Sequence, residues 1–270
     1  MTEAAVPDPS DGPHAERYRA QLDLLRAAIA GRGHDPDRDL FAGGPNLTAV
    51  ADQWRRISVL EVGPIPGIEW LKRHTQRLGL AQEVQDDLWR AYERQVRDEL
   101  DHGAYWGEVY FMLTGLEPEE MPWDGAGQGG SNVNIGVPPD LDDPDEVRNA
   151  VFAGSAFALG LESSFAEVSF PALQKMLRQS DLPIAQSFLP LLRQIGRDEA
   201  RHLAIHRYAF HHLRDQHPRN TTANFMAMCN AGRKAFGVPQ LTDAKFAKYV
   251  GREAPPTTEQ ILGPTFLHVA

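Results

Sequence analysis

The chain has 270 residues, of which 42% are hydrophobic and 24% are charged, a composition typical of a globular protein with a buried core. Its formal net charge of −10 argues against nucleic acid or an anionic membrane as the main partner. The single cysteine, Cys229, excludes an internal disulfide and a thiolate metal site, and it favours a reducing, cytoplasmic location. Because no run of 18 apolar residues occurs, we expect no segment to span a membrane.

The first half of the chain predicts three helical segments. Residues 1–13 are rich in Pro and Asp and read as a disordered leader without the features of a secretory signal. An amphipathic helix is predicted over 14–31 and a longer one over 47–62. The second meets the breaker sequence GPIPG at 63–67, where we expect a kink or a stop before it resumes through Arg77. The next helix is predicted over 81–114.

The second half begins with about thirty residues, 115–146, that show no periodicity and resemble a crossover connection. A helix is predicted over 144–179 with a kink at Pro171, and another from the SDLP sequence at 180–183 to about Leu213. Two shorter helices are expected within 220–250, and the tail 251–270 is expected to be irregular. Strand-like alternation is absent from the sequence.

The connections between the four long helices are short, long and short, which favours one fold class. We predict an all-α protein, a ferritin-like four-helix bundle of two antiparallel hairpins joined by a long crossover. Extra N- and C-terminal helices complete a single domain over 14–250.

One phrase occurs twice, as RDELDH at 97–102 and RDEARH at 197–202. In each copy a Glu is followed by a His three residues later, so the two side chains lie about 60° apart on a helix and roughly 4.5 Å apart along its axis. A single Glu-x-x-His is a weak signal. The pair is stronger, because both copies fall on apolar stripes, where four polar side chains are costly to bury without a partner. Carboxylate with imidazole suits iron or manganese. We therefore predict Glu99, His102, Glu199 and His202 as metal ligands.

These motifs resemble the ferritin-like di-iron carboxylate superfamily, in particular the ribonucleotide reductase small subunit and the oxidases related to it. The segments LFAGG at 40–44 and LPLLRQIGRDEARHLA at 189–204 are similar to theirs, and the resemblance covers about 40–215. It implies one further Glu from each of two other helices. The first helix offers Glu61 or Glu69, and the third offers Glu162 or Glu167.

The predicted positions of the hairpin turns favour Glu61 and Glu162 as the two further ligands. Partners at one level of an antiparallel hairpin are equally far from its turn, and the midpoints for Glu61 with Glu99 and for Glu162 with Glu199 both fall in turn-like sequence. The alternatives Glu69 and Glu167 would move the turns into helix and are interpreted as surface acids.

Four carboxylates and two neutral imidazoles match the charge of two divalent ions. We expect two iron ions, with manganese and iron as the alternative pair, and dioxygen as co-substrate. The resemblance also implies that Asp98 and Asp198 hydrogen-bond the ligand histidines from outside the ligand shell. His206, one turn beyond His202, is interpreted as a packed core histidine rather than a ligand.

At two positions the sequence differs from the related families, and each difference argues against one of their characteristic features. A redox tyrosine would stand one turn after the first ligand histidine, where this chain has Trp106, so a radical-generating subunit is not expected. The Val–Tyr crosslink of the ligand-binding oxidases cannot form, because the matching positions are Pro64 and Phe157.

We therefore predict a non-haem di-iron oxygenase or oxidase that hydroxylates, desaturates or N-oxygenates a small organic substrate, using an external electron donor. The alternatives are a ferroxidase of the iron-storage type and a non-catalytic metal-binding protein. Family likeness further implies a homodimer. A dry pocket wall is expected from five aromatic residues, each of which is equally well interpreted as bundle core: Tyr105, Trp106, Phe157, Phe165 and Phe188.

Overall fold

The computed structural model describes residues 61, 63–114, 141–179, 188–251 and 254–263, without the side chains of 107–114 and 176. Every regular element in these ranges is helical, which confirms the all-α prediction. The α-helices are α1 Ile65–His74, α2 Gln82–Thr114, α3 Pro144–Ser164, α4 Phe170–Gln179, α5 Leu189–Leu213, α6 Thr222–Ala235, α7 Asp243–Val250 and α8 Thr258–Leu262. None of the described helices is long and apolar enough to cross a membrane.

Several expectations concern residues outside these ranges: the leader 1–13, the helix 14–31, the helix 47–62 apart from its helical residue Glu61, the crossover up to residue 140, and the SDLP start. The GPIPG sequence acts as the start of a helix. Pro64 is the N-cap of α1 and Pro66 stands in its first turn, where a proline loses no hydrogen bond. A 3-10 turn over Thr75–Arg77 follows, so the helical segment reaches the expected Arg77.

The long helix α2 begins and ends within one residue of its prediction and contains 33 residues, a length of roughly 50 Å. Its interior contains no proline, and Gly79 with φ +65° precedes its start. Because α2 is unbroken, it holds side chains on one stripe in register over many turns.

The predicted helix over 144–179 is interrupted by a π-helix at Phe165–Ser169, which separates α3 from α4. Pro171 explains the interruption, because it has no N–H for the carbonyl of Glu167 and its ring would clash with that carbonyl in an α-helix. The expected kink at Pro171 is therefore a change of helix type that begins six residues earlier.

The C-terminal part contains α6 and α7, which are the two helices expected within 220–250, and one that was not expected. Residues 258–262 form α8 inside the tail predicted to be irregular. Thr257 and Gln260 form a capping box at its start, with each side chain bonded to the other residue's backbone N–H. The T-x-x-Q sequence carries this signal, and the sequence interpretation missed it.

The chain divides into two compact units, and boundaries between them fall inside α2, α4 and α5. Unit 1 consists of Met1–Val62, Arg97–Met121 and Leu173–Gln194, and unit 2 of Gly63–Val96, Pro122–Ala172 and Ile195–Ala270. In the described part of unit 1, the buried apolar side chains are Tyr105, Trp106, Leu173, Leu177, Phe188, Leu189, Leu191 and Leu192.

Unit 2 has a continuous apolar core in which α3 packs closely on α6. Phe152, Phe210 and Phe225 stack within it at ring-centroid distances of 4.7–6.1 Å. The close approach of the helices depends on glycine: a Cβ at Gly160 would clash with the backbone carbonyl of Cys229, and one at Gly232 with that of Phe157. The crossing of α3 and α6 therefore brings backbone against backbone.

Candidate metal centre

In unit 1, three buried side chains form a cluster that we call the Glu61 cluster: Glu61, Glu99 and His102. The Nδ1 atom of His102 lies 3.4 Å from Glu61 Oε2 and 4.0 Å from Glu99 Oε2. Two ligand atoms that each lie about 2.1 Å from one ion are roughly 3–4 Å apart. The spacing therefore fits a shared metal ion better than a hydrogen bond.

Trp106 follows His102 by one helical turn on α2, and its side chain is fully buried. The indole N–H of Trp106 donates a hydrogen bond of 2.9 Å to Glu61 Oε1. One oxygen of Glu61 is thus held by the indole, while the other faces His102. The sequence interpretation placed Trp106 in a pocket wall; in the structure it orients a candidate ligand.

In unit 2, Glu162, Glu199 and His202 form a second buried cluster, the Glu162 cluster. The Nδ1 atom of His202 lies 3.8 Å from Glu162 Oε1 and 3.6 Å from Glu199 Oε2. Glu162 stands near the end of α3, and the Glu-x-x-His pair stands on α5. As in the first cluster, one histidine Nδ1 faces two carboxylates at the separation expected of ligands to one ion.

Gln95, one turn before Glu99 on α2, is a partner of Glu162 that the sequence interpretation missed. Its amide nitrogen donates a hydrogen bond of 2.9 Å to Glu162 Oε1 and lies 3.4 Å from His206 Nε2. The signal was present, because Gln95 is a polar residue four positions before Glu99 and therefore on the same stripe.

Electrostatics show how costly the Glu162 cluster is without a cation. Burial raises the pKa of Glu162 well above the ordinary range, and the charge of Glu199 raises it further, while His202 partly opposes the shift. Two carboxylates this deeply buried cannot both carry charge cheaply. Hard oxygen and neutral nitrogen donors in such a place suit iron or manganese, so the residues fit the predicted ions.

The two acids before the ligand glutamates are both buried. Asp198 accepts a hydrogen bond of 2.8 Å from Arg201 Nη2, and both side chains are only 1% exposed. Asp98 is 4% exposed. The expected bonds from these acids to the ligand histidines stay predictions.

His206 lies in the core of unit 2, as the sequence indicated. Burial, with a smaller effect of His202, lowers the pKa of His206 to about 4, although Glu162 opposes the shift. The ring is therefore neutral near pH 7. Since its Nε2 faces the Gln95 amide, that nitrogen is assigned as the acceptor and the proton to Nδ1.

The rejected alternatives are ion-paired acids on the half-buried surface of unit 2. Glu69 forms a salt bridge of 2.9 Å with Lys72. Glu167 accepts hydrogen bonds from Tyr249, Arg233 and Lys245 at 2.7, 2.9 and 3.3 Å. We expected a plain surface acid, but Glu167 links the π-helix to α6 and α7 through these hydrogen bonds.

The other residues of the expected pocket wall are mostly core. Tyr105, Phe165 and Phe188 are buried and Phe157 is half-buried. Phe165 stacks edge-on against Phe170 and Phe236. None of the five lines the cavity that the described residues form beside Glu162.

Comparison with known proteins identifies no relative, so the assignment of these residues as metal ligands depends on their geometry. No protein-family model, no curated protein and no solved structure matches the chain.

Proposed function

We propose that the Glu61 and Glu162 clusters are the two halves of one di-iron centre in a ferritin-like four-helix bundle. The enzyme would use dioxygen to hydroxylate, desaturate or N-oxygenate a small organic substrate, with electrons from an external donor. One observation carries the proposal: the two copies of Glu-x-x-His, a hundred residues apart, each lie buried with a second carboxylate facing the same histidine nitrogen.

The continuity of α2 supports one centre. This helix supplies Glu99 and His102 to the Glu61 cluster, and Gln95, one turn earlier, to Glu162. Residues 95, 99, 102 and 106 are spaced by four, three and four, so they share one stripe. A stripe that serves both clusters supports one combined centre over two separate mononuclear sites.

The charges support two ions. Glu61, Glu99, Glu162 and Glu199 would bring four negative charges into the interior, and two divalent ions bring four positive ones. The six candidate ligands would then be shared as one His and two or more carboxylates to each ion. Iron in both positions fits the donor set, and so does a manganese–iron pair.

When bound, two Fe(II) ions supply the electrons and open coordination positions that dioxygen reduction requires. The chain contributes orientation and a dry environment. Trp106 holds Glu61 and Gln95 holds Glu162, so the two carboxylates outside the Glu-x-x-His motifs are both fixed by donors on α2. Burial of every candidate ligand keeps bulk water away from the reacting atoms.

Metal analysis tests the centre. We expect about two iron or manganese ions per chain in the purified protein and a loss of at least one in Glu99→Ala and in His202→Ala. Glu69→Ala and His217→Ala are matched controls on exposed or half-buried surface and should retain the metal. Fewer than one ion per chain, with no effect of the ligand variants, would overturn the metal assignment.

Oxygen consumption tests the activity. The Fe(II)-loaded protein with an external reductant should consume dioxygen faster when a suitable small organic compound is added, and the compound should be recovered oxidised. Catalytic oxidation of excess Fe(II) with mineral formation would establish the ferroxidase instead. A metal-loaded protein that consumes no dioxygen under either condition would establish a non-catalytic metal-binding protein.

A further inference from the structure

An apolar cavity of about 40 Å³ lies between α1 and α3 in unit 2 and reaches Glu162. Along α3 its lining consists of Ala150, Gly154, Ala158 and Leu161, spaced by four, four and three, and therefore on one stripe. The lining passes from half-buried Ala150 and Gly154 to buried residues at the Glu162 end. The remaining lining residues are Pro64, Gly67, Ile68, Trp70 and Leu71.

The size and the chemistry of the cavity limit what can occupy it. A space of about 40 Å³ is far below the roughly 150 Å³ of an apolar cavity that holds benzene, so an organic ring does not fit. Water fits by size but needs two to four polar partners. The polar side chains of this lining are Glu162 and Trp70, and the Nε1 atom of Trp70 is buried beyond the reach of a water molecule, so Glu162 is the one side-chain partner that the lining offers. A small apolar molecule is the better match.

The Trp70 indole adds a second observation. Trp70 is 1% exposed, and its Nε1 has no hydrogen-bond partner among the described residues. The ring stacks on His74 at a centroid distance of 4.0 Å, which fixes its plane. A rigid aromatic wall and aliphatic neighbours form a preorganised apolar surface.

We propose that this cavity is a binding site for molecular dioxygen, which would approach the metal centre from the Glu162 side. The inference rests on the proposed function for the identity of the gas, because dioxygen is the small apolar molecule that such a centre consumes. The site itself follows from the cavity and would bind any apolar gas of similar size, including xenon. Binding breaks and forms no covalent bond.

Xenon tests the site without relying on turnover. The full chain, stripped of metal by a chelator and checked for helicity, is titrated with xenon gas while backbone amide chemical shifts are recorded. We expect saturable shifts at Gly154 and Ala158. Ala158→Val adds two methyl groups to the cavity and should weaken xenon binding at least about tenfold. Ala153→Val, on the same helix but outside the lining, should bind as the parent does.

A parent protein without saturable shifts, or Ala158→Val that binds xenon as tightly as the parent, would overturn the site. If Ala158→Val does not fold, Gly154→Ala decides by the same criterion, because its Cβ would come 2.9 Å from Leu71 Cδ2 and displace that lining side chain.

A separate measurement, the KM for dioxygen, tests whether dioxygen is the gas that binds in the cavity. In the Fe(II)-loaded protein, Ala158→Val should raise the KM for dioxygen about fivefold or more and leave kcat nearly unchanged, while Ala153→Val changes neither. An unchanged KM for dioxygen would overturn the dioxygen assignment. Because xenon binding is measured without metal, a chain that binds xenon but no iron would overturn the proposed function and leave the gas site intact.

Discussion

Trp106 stands one turn after a candidate ligand, and its hydrogen bond shows what an indole does at this position. An indole N–H can donate but cannot accept, so it has one role toward a carboxylate. In this chain that role is to hold Glu61 Oε1 while Oε2 faces His102. Trp106 therefore orients the Glu61 carboxylate.

Removing this donor should weaken the Glu61 cluster. We expect Trp106→Phe to lower the affinity for Fe(II) or Mn(II) about 10–100-fold, the usual effect of losing a hydrogen bond to a ligand. Titration of the metal-free protein measures the affinity. Trp89→Phe is the matched control, since Trp89 is 37% exposed, and equal affinities of both variants would contradict the role of Trp106.

Glu167 illustrates a different use of a half-buried charge. Desolvation opposes its ionisation, but the hydrogen bonds from Tyr249 and Arg233 prevail and lower the pKa of Glu167 below its ordinary value. A carboxyl group whose pKa is lower in the folded state stabilises the fold above its unfolded-state pKa, and the contribution is lost as pH falls through the folded-state pKa.

We therefore expect Glu167→Gln to lower the free energy of unfolding by roughly 1–3 kcal/mol at pH 7. The difference from the parent should shrink as the pH falls into the acidic range, because the parent carboxyl group is then protonated. Denaturant titrations at several pH values measure it. Glu69→Gln, which loses a half-exposed ion pair, should cost less than about 1 kcal/mol. A cost of Glu167→Gln that does not depend on pH would contradict the assignment.

At the scale of elements, α2 and α5 have matching stripes. Residues 95, 99, 102 and 106 on α2 correspond in spacing to 195, 199, 202 and 206 on α5. The flanking residues differ: Gln95 and Trp106 donate hydrogen bonds to carboxylates, whereas Ile195 and His206 are core residues. The proposed centre therefore takes ligands from both helices and orienting donors from α2.

The contact of α3 with α6 leaves no room for a side chain at Gly160 or Gly232. Gly232→Ala and Gly160→Ala place a Cβ against backbone carbonyls that cannot move aside as a flexible side chain can. We expect each to lower the free energy of unfolding by roughly 1–3 kcal/mol, measured by denaturant titration.

Gly196→Ala is the control for this contact. A Cβ there would meet only the Phe170 ring, at 3.8 Å, an ordinary contact distance. Alanine is the better helix former, so this variant should be neutral or more stable by up to about 1 kcal/mol. Equal destabilisation by all three substitutions would show that the close approach of α3 and α6 is not the cause.

At the scale of the whole molecule, the proposed centre couples metal binding to stability. A metal that binds only the folded chain stabilises it by mass action, by about 3 kcal/mol at a hundredfold excess over the dissociation constant. Chelation should therefore lower Tm by roughly 5–10 °C, and Fe(II) or Mn(II) should restore it. Calorimetry of the parent and of Glu99→Ala measures the effect. A Tm that chelation leaves unchanged would contradict a structural contribution of the metal.

The sequence alone was sufficient for most of the described helices, because their periodicity, caps and breakers are local. It predicted α2 to within one residue, the helix boundary at GPIPG and the two helices after residue 220. It also predicted the Glu-x-x-His pairs, because the helical backbone itself sets the spacing of these side chains. The capping box of α8 is local as well, and it was overlooked although it could have been found.

The tertiary structure alone decided which donors hold the predicted carboxylates. The hydrogen bonds of Trp106 to Glu61 and of Gln95 to Glu162 join residues 45 and 67 positions apart, and no periodicity encodes such a choice. The cavity beside Glu162 exists because small residues of α3 face α1. Helical spacing is set within a few residues of backbone, whereas contacts, cavities and pKa shifts arise only when separate helices pack.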